Sequence, residues 1–212
     1  MSTAPENPLT PEHFARLDES DDSNFYADPK LVTHIDDAAI ASLSRFYGEL
    51  IPEGGAVLDL MTSWVSHLPD SLILERVVGL GMNAEELEEN PRLTERLVQD
   101  LNRDPLLPFV DGGFDAAIVT VSVQYLTRPL EVFAEVGRVL KPGAPFAVAY
   151  SNRLFPTKAV AIWRALGDRE HADLIALYFR LSGLFSPAQA HDISAGPGSG
   201  PMFVVVGRTL PG

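Results

Sequence analysis

Residues 114–151, FDAAIVTVSVQYLTRPLEVFAEVGRVLKPGAPFAVAYS, contain two strand-like runs with a helical pattern between them. The two short apolar runs, 114–121 and 145–151, have the composition of strands that are buried on both faces of a parallel sheet. Between them, apolar residues recur every three or four positions, which predicts a helix that Pro142 and Gly143 end. The stretch therefore predicts a βαβ crossover, and such crossovers are almost always right-handed.

The same alternation of strands and helices extends outward from this unit in both directions. Apolar runs before it predict three earlier strands, at 56–60, 76–80 and 96–100. After it, we expect helices at 156–166 and 169–182, and then two strands at 190–194 and 202–206, separated by the turn GPGSGP. The sequence predicts an α/β fold: a doubly wound, mostly parallel, seven-stranded sheet that ends in a C-terminal antiparallel hairpin.

The N-terminal residues 1–24 differ in composition from the rest of the chain. They contain three prolines and a cluster of acidic residues, a composition that buries little surface, so we expect a flexible acidic arm. From residue 25 the pattern changes, and an apolar stripe from Ile40 to Leu50 predicts a helix before the first strand. Since the 212-residue chain shows no internal repeat or linker, we expect residues 25–212 to form one domain.

Composition argues against several classes of function. A formal net charge of −13 without a basic patch argues against nucleic acid as a partner. The absence of cysteine excludes disulfides and thiol chemistry, and it favours a cytoplasmic location. We expect neither export nor membrane insertion, because the N-terminus is polar and no apolar run approaches the ~20 residues of a spanning helix. The five histidines form no tight cluster, so no metal site is predicted.

Several segments resemble class I S-adenosylmethionine-dependent methyltransferases. The run VLDL at 57–60 looks like the first strand of that family with its closing acid, and 96–102 is similar to its third strand. Residues 114–119 match its fourth strand. The stretch 133–143, which ends in RVLKPG, resembles the helix and turn before the fifth strand in the small-molecule branch called methyltransferase type 11. Residues 59–69 are similar to a methyltransferase-like group of bacteria and plants.

This resemblance implies a Rossmann-like methyltransferase fold, S-adenosyl-L-methionine as the cofactor, and methyl transfer to an unidentified small-molecule acceptor. In such sheets the ligand lies beyond the carboxyl ends of the first and fourth strands, where the strand order reverses. In the family, the acid at Asp59 holds the loop and the ligand ammonium group, and the acid at Asp100 accepts a hydrogen bond from the adenine amino group. The implied cofactor-binding residues follow the first four strands: Asp59, Met61, Thr62, Ser63, Gly81, Met82, Asn83, Asp100, Leu101, Val121 and Gln124.

The loop after the first strand departs from the family pattern. Met61, Thr62 and Ser63 stand where the family has glycines, whose backbone takes conformations that side chains disfavour. Either the loop follows another path or its neighbours support the strain. The hydroxyls of Thr62 and Ser63 could bind the methionine carboxylate at the start of a helix near Trp64, or they could simply cap that helix.

A second departure follows the second strand, where the family has an acid that accepts both ribose hydroxyls. Asn83 stands there instead, and a neutral hydrogen bond contributes only ~0.5 to 1.5 kcal/mol. Two alternatives remain open from the sequence. Asn83 could cap the following helix, and Glu85 or Glu86 could bind the ribose in its place.

His67 and Tyr125 are the predicted catalytic residues. Methyl transfer needs mainly an in-line placement of donor and acceptor, but an oxygen acceptor also needs a base. His67, expected on a short helix after Trp64, is one candidate; Tyr125 after the fourth strand is another, and His34 could join them if the N-terminal arm folds over the pocket. The alternatives are a buried, hydrogen-bonded His67 and a Tyr125 that only lines the pocket.

A non-catalytic function competes with methyl transfer. The altered loop is also what we expect of a methyltransferase-like domain that has lost donor binding and acts as a partner-binding or regulatory protein. The first loop lacks the Gly-x-Gly-x-x-Gly pattern of a nicotinamide dehydrogenase. Ser63 and Ser66 lack the flanking glycines of a hydrolase elbow.

Overall fold

The computed structural model describes residues 7–212 of the chain. Its strands are β1 (Ala56–Leu60), β2 (Arg76–Gly81), β3 (Glu95–Val98), β4 (Ala116–Thr120), β5 (Pro145–Tyr150), β6 (Gln189–Asp192) and β7 (Phe203–Arg208). Its α-helices are α1 (Asp22–Phe25), α2 (Asp37–Leu50), α3 (Ala84–Glu88), α4 (Pro129–Val139), α5 (Ala161–Ala165) and α6 (Asp168–Ser182). Two single 3-10 turns lie at Pro11–Phe14 and Val123–Tyr125.

The seven strands form one sheet in the order β3-β2-β1-β4-β5-β7-β6. The strands β1 to β5 pair in parallel, whereas β7 is antiparallel to both β5 and β6. This topology confirms the predicted doubly wound sheet with its C-terminal hairpin. The strand order reverses between β1 and β4, so a crevice is expected at their carboxyl ends.

The two faces of the sheet are covered by amphipathic helices. On one face, α4 buries Val132, Phe133 and Val136, and the Phe133 ring lies 5.0 Å from that of Phe146 in β5. On the other face, α2 buries Leu43 and Tyr47 completely. The apolar periodicity that predicted these helices therefore corresponds to their sheet-facing stripes.

The connection between β1 and β2 is an irregular loop rather than a helix. The predictions of a helix start near Trp64 and of a short helix carrying His67 are wrong. Met61 and His67 have φ values of 53° and 56°, which a right-handed helix excludes. The side chain of Asn90 also donates a hydrogen bond at 2.8 Å to the carbonyl of Ser63, and this contact holds the loop in another path.

Residues 7–24 of the predicted acidic arm contact the domain, while residues 1–6 lie outside the described residues. The amide of Asp18 donates to the carbonyl of Thr157 at 2.9 Å, and the carbonyl of Ala15 accepts from Ala161 at 2.8 Å. The mobility of this segment stays a prediction, and these are contacts that it must break in order to move. Within residues 7–212, no helix combines the length and the apolar character needed to cross a membrane.

Candidate active site

A cavity of about 620 Å³ lies at the carboxyl ends of the central strands. This volume is within the ~300 to 1,000 Å³ typical of small-molecule sites. Its floor is formed by residues that follow four neighbouring strands: Met61 to Ser63 after β1, Gly81 and Met82 at β2, Gln99 to Asn102 after β3, and Thr120 to Ser122 at β4. Parallel strands present their carboxyl ends at one edge, which is why these separate segments meet.

The outer wall of the cavity comes from the N-terminal part of the chain and from the segment after β5. We call residues 16–36 the strap, because they pass along the carboxyl edge of the sheet. The strap contributes Asp22, Tyr26, Lys30 and residues 32–36 to the wall, and residues 153–155 complete it.

Backbone strain is concentrated at this cavity. Among residues 7–212, the non-glycine residues with positive φ are Met61 (53°), His67 (56°) and Val121 (46°), and all three line the cavity. A left-handed conformation costs roughly 1 to 2 kcal/mol for a residue with a side chain. Strain of this kind is typical of functional sites, where the surrounding contacts hold it in place. Met61 therefore has a left-handed backbone conformation, which is usually taken by glycine.

The loop after β1 crosses close over the end of β2. The Thr62 amide donates to the carbonyl of Leu80 at 2.9 Å. A Cβ atom at Gly81 would lie 2.3 Å from the carbonyl oxygen of Thr62. Only glycine fits at Gly81 in this arrangement, so that residue is required by the approach of the loop.

A buried carboxylate lies beside this loop. Glu86, in the first turn of α3, is 6% exposed and lines the cavity. Its Oε2 accepts a hydrogen bond from the Ser63 hydroxyl at 2.6 Å, and its Oε1 accepts one from the Lys30 amide at 2.6 Å. A carboxylate has about four acceptor positions, so Glu86 can accept further bonds from a ligand. Nothing in the sequence distinguished Glu86 from the neighbouring Glu85.

Asn83 has a different environment. Its Oδ1 accepts from the Glu86 amide at 3.1 Å, and its Nδ2 donates to the carbonyls of Tyr26 and Ala27 at 2.9 and 3.2 Å. Asn83 does not line the cavity. The geometry agrees with the alternative that Asn83 caps the following helix, because the oxygen and the nitrogen of its side-chain amide both form hydrogen bonds to the protein backbone.

Asp59 and Gln124 also lie outside the cavity lining. Asp59 is 1% exposed, and burial raises its pKa to about 7 although side-chain hydrogen bonds from Ser66 and Thr62 oppose the shift. Gln124 donates to the carbonyl of Val121 at 2.9 Å. Gln124 thus bonds to the backbone of a lining residue, whereas Asp59 interacts with the side chain of the lining residue Thr62.

Asp100 and Leu101 line the cavity at the end of β3, and their role in cofactor binding stays a prediction. The Asp100 carboxylate accepts from the Asn102 amide at 2.9 Å. The Asn102 side chain donates to Asp22 of the strap and to the carbonyl of Tyr125, both at 3.0 Å. Asn102, which the sequence reasoning missed, thus joins the strap to the segments after β3 and β4. Its partners are distant in sequence, and no local pattern could have indicated them.

His67 and Tyr125 both line the cavity. Burial, together with the nearby His34, lowers the pKa of His67 to about 4, so the imidazole is neutral at pH 7. Its Nδ1 is buried without a partner, and none of the described residues hydrogen-bonds to its Nε2. The alternative of a buried, hydrogen-bonded histidine therefore finds no partner within residues 7–212.

The Tyr125 hydroxyl accepts a hydrogen bond from the Phe155 amide at 2.9 Å. Burial raises the pKa of the phenol, so the hydroxyl keeps its proton at neutral pH. With one lone pair engaged, this proton remains available to a ligand.

Comparisons with known proteins relate the central part of the chain to a methyltransferase domain. Residues 60–148 match the family model Methyltransf_11, described as a methyltransferase domain. The chain is 30% identical over 102 residues to the biotin biosynthesis bifunctional protein BioHC of Teredinibacter turnerae, an alignment that covers 47% of this chain and 18% of that protein. It is 36% identical over 78 residues to the methyltransferase phqN of Penicillium fellutanum, covering 34% of this chain and 24% of that protein. The matches thus span about a quarter or less of these relatives.

Solved structures share the fold at low sequence identity. A SAM-dependent methyltransferase from Aquifex aeolicus has a TM-score of 0.59 at 17% identity, covering 89% of this chain and 97% of that one. The [4+2]-cyclase SpnF has a TM-score of 0.61 at 14% identity, covering 90% of this chain and 92% of that one. At these identities the two structures establish the fold alone. Residues 60–148 thus match a Methyltransf_11 methyltransferase domain, and the strand order is that of the methyltransferase Rossmann-like fold.

Proposed function

We propose that this protein transfers the methyl group of S-adenosyl-L-methionine to a small-molecule acceptor. The observation that carries the proposal is the cavity itself. It lies where the strand order reverses and has the volume of a small-molecule site. Its lining includes Met61, His67 and Val121, which have left-handed backbone conformations. The cofactor supplies an electrophilic methyl group on a positively charged sulfonium.

The lining residues fit such a donor. Gly81 leaves room for the loop after β1 where a Cβ atom would not fit. Asp100, at the end of β3, is a suitable acceptor for an adenine amino group. Glu86, one of the two open alternatives to Asn83, is a suitable acceptor for the ribose hydroxyls. Asp36 also lines the cavity, so three acids whose charge is not taken up by Arg16 or Lys158 face the two basic residues Lys30 and Arg153, and this balance favours a cationic ligand.

The methionine carboxylate of the donor cannot bind to a helix N-terminus after β1, so it needs a different partner. The loop after β1 is irregular, so the amides of a first helical turn are absent there. We propose that Arg153, a cationic residue that lines the cavity, binds the donor carboxylate instead.

The acceptor would lie against the wall near His67, Tyr125 and Phe155. Neutral His67 can remove a proton from a hydroxyl acceptor as the methyl group is transferred, while the Tyr125 hydroxyl orients the acceptor by donating a hydrogen bond. The strap excludes water from this region. Holding the two reactants in line can contribute ~7 to 11 kcal/mol to lowering the barrier.

Calorimetric titration with S-adenosylmethionine and with its demethylated product tests the proposal. We expect micromolar binding of both. Asp100→Asn should weaken binding by at least tenfold, because a hydrogen bond to a charged group contributes ~1.5 to 3 kcal/mol. Asp70→Asn, an exposed position outside the cavity lining, is the matched control and should leave binding unchanged. Absence of binding to the unmodified protein would refute donor use.

A second candidate function is that of a non-catalytic domain that binds a partner. The irregular loop after β1, which removes the helix start from the cavity, favours this alternative. Titration separates the two functions, since a domain without donor binding gives no heat with either ligand. For either function, the absence of cysteine supports a cytoplasmic location, and the net charge of −13 supports a partner other than nucleic acid.

A further inference from the structure

We propose that Lys158 is a positioning residue that holds the strap closed over the cavity, and that ligand enters and leaves when the strap detaches from Lys158. The inference rests on the proposed function for the identity of the ligand. The closed and open states of the strap themselves can be measured without any ligand.

Lys158 is a buried lysine whose ammonium group faces the strap. Its side chain is 1% exposed. The ammonium donates to the carbonyl of Ser20 at 2.8 Å and lies 3.1 Å from a carboxylate oxygen of both Asp18 and Asp22. The ammonium has three donors, and these three contacts all belong to the strap. A buried charge that loses its partner is strongly unfavourable, so Lys158 favours the closed strap.

Asp22 connects this ion pair to the cavity. It is 6% exposed and lines the cavity. Arg16, in the strap, donates to both of its carboxylate oxygens at 2.7 Å. Asn102 donates to it at 3.0 Å, and the Asn102 amide donates to the Asp100 carboxylate at 2.9 Å. Closure of the strap at Lys158 therefore completes the wall next to Asp100.

The rest of the strap is attached mainly by polar contacts that water can replace. Within residues 16–36, Ile35 is buried, and Phe25 is partly buried with its ring 5.2 Å from that of Phe155, whereas Leu17, Leu31 and Val32 are about half to two-thirds exposed. Further along, the strap is held by hydrogen bonds: Asn83 donates to the carbonyls of Tyr26 and Ala27, and the Trp64 indole donates to the carbonyl of Val32 at 3.1 Å. A segment with few buried apolar contacts opens at low free energy. Among these contacts the ion pairs at Lys158 are the ones that bury a charge, so their loss should lower the free energy of opening most.

The course of the strap makes its opening relevant to access. It runs from Lys158, which follows β5, past Asn102 after β3, to Trp64 in the loop after β1. These contacts span the width of the crevice. Detachment at Lys158 frees the part of the wall that contains Asp22 and Tyr26.

Hydrogen exchange of Lys158→Met tests the inference, because methionine keeps the apolar stem of lysine and removes the charge. We expect amides of residues 16–30 to exchange at least tenfold faster than in the unmodified protein, while those of β4 and β5 stay unchanged. Asp22→Asn, which removes the carboxylate on the other side of the pair, should give the same local pattern. Lys141→Met is the control, because it removes an exposed ion pair with Asp115 outside the strap.

Release of the demethylated donor, followed by stopped-flow fluorescence of Trp64, gives a second readout. We expect release to be at least tenfold faster in Lys158→Met and unchanged in Lys141→Met. If the protein does not bind this ligand, the proposed function fails, and hydrogen exchange still decides the inference about the strap.

Three results would overturn the inference. Uniform acceleration of exchange in all elements would make Lys158 a stabiliser of the whole fold. Unchanged exchange of the strap in both variants would mean that the ion pairs do not hold it. In the unmodified protein, strap amides that exchange as slowly as those of β4 would mean that the strap opens only when the whole domain unfolds.

Discussion

Gly81→Ala is the substitution for which the structure makes the sharpest prediction. The added Cβ atom would lie 2.3 Å from the carbonyl oxygen of Thr62 and 3.1 Å from a methyl group of Leu87. Real contacts essentially never fall below 3.0 Å, so the Thr62 carbonyl must retreat by about 0.7 Å, the difference between 3.0 and 2.3 Å. This atom belongs to the backbone, and the Thr62 amide is held by Leu80 at 2.9 Å. The loop after β1 cannot yield without losing contacts.

The expected magnitude follows from the cost of overpacking. An extra methyl group in a well-packed place costs ~1 to 3 kcal/mol. For a domain of this size, 1 kcal/mol shifts the melting temperature by roughly 2 to 4 °C, which predicts a decrease of about 2 to 12 °C. Displacement of Thr62 should also weaken binding of the demethylated donor by about tenfold or more, since placement errors near 1 Å are costly at such sites.

Scanning calorimetry and titration of Gly81→Ala and Gly113→Ala measure these effects. A Cβ atom at Gly113 would lie no closer than 3.4 Å to its neighbours, an ordinary contact. This control should keep its stability or gain slightly, because alanine restricts the unfolded chain. Equal melting temperatures and equal affinities for the two variants would refute the close approach of Thr62 to β2.

Three further predictions concern the strained and buried residues around the cavity. Urea denaturation should show Met61→Gly to be about 1 kcal/mol more stable than Met61→Ala. Both variants lose the packing of the methionine side chain, but only glycine relieves the left-handed strain. A more stable alanine variant would contradict this. Asp59→Asn should remove a loss of stability between about pH 4 and 7. In that range the folded protein keeps the Asp59 proton, with a pKa of about 7, whereas the unfolded chain, with a value near 3.8, releases it, so rising pH favours unfolding. Denaturation of both proteins at pH 5 and 8 measures this, and an equal loss of stability in the two proteins would contradict it. The NMR signals of the His67 ring should stay constant from pH 5.5 to 8, because its folded pKa is about 4; a titration near pH 6.5 would show that the imidazole is hydrated.

Several features of the cavity could be anticipated because they follow from local sequence and one geometric rule. The residues after β1, β3 and β4 were expected to meet, since the carboxyl ends of parallel strands share an edge. Met61, Asp100 and Tyr125 all line the cavity as a result. Asn83 and Gln124 were placed by the same rule and do not line it, because their side chains bond to the protein backbone instead.

The sequence by itself determined the sheet, its order of elements and its terminal hairpin. Burial of whole strands and the three-to-four-residue periodicity of α2 and α4 are recorded in neighbouring residues, so a local pattern is sufficient to predict them. Only the tertiary structure decided the path of the loop after β1, the choice of Glu86 as the buried carboxylate, and the attachment of the strap. Each depends on pairs far apart in the chain, such as Lys158 with Ser20, 138 residues away. Such contacts form only once the sheet has brought their elements together, and no sequence pattern records them in advance.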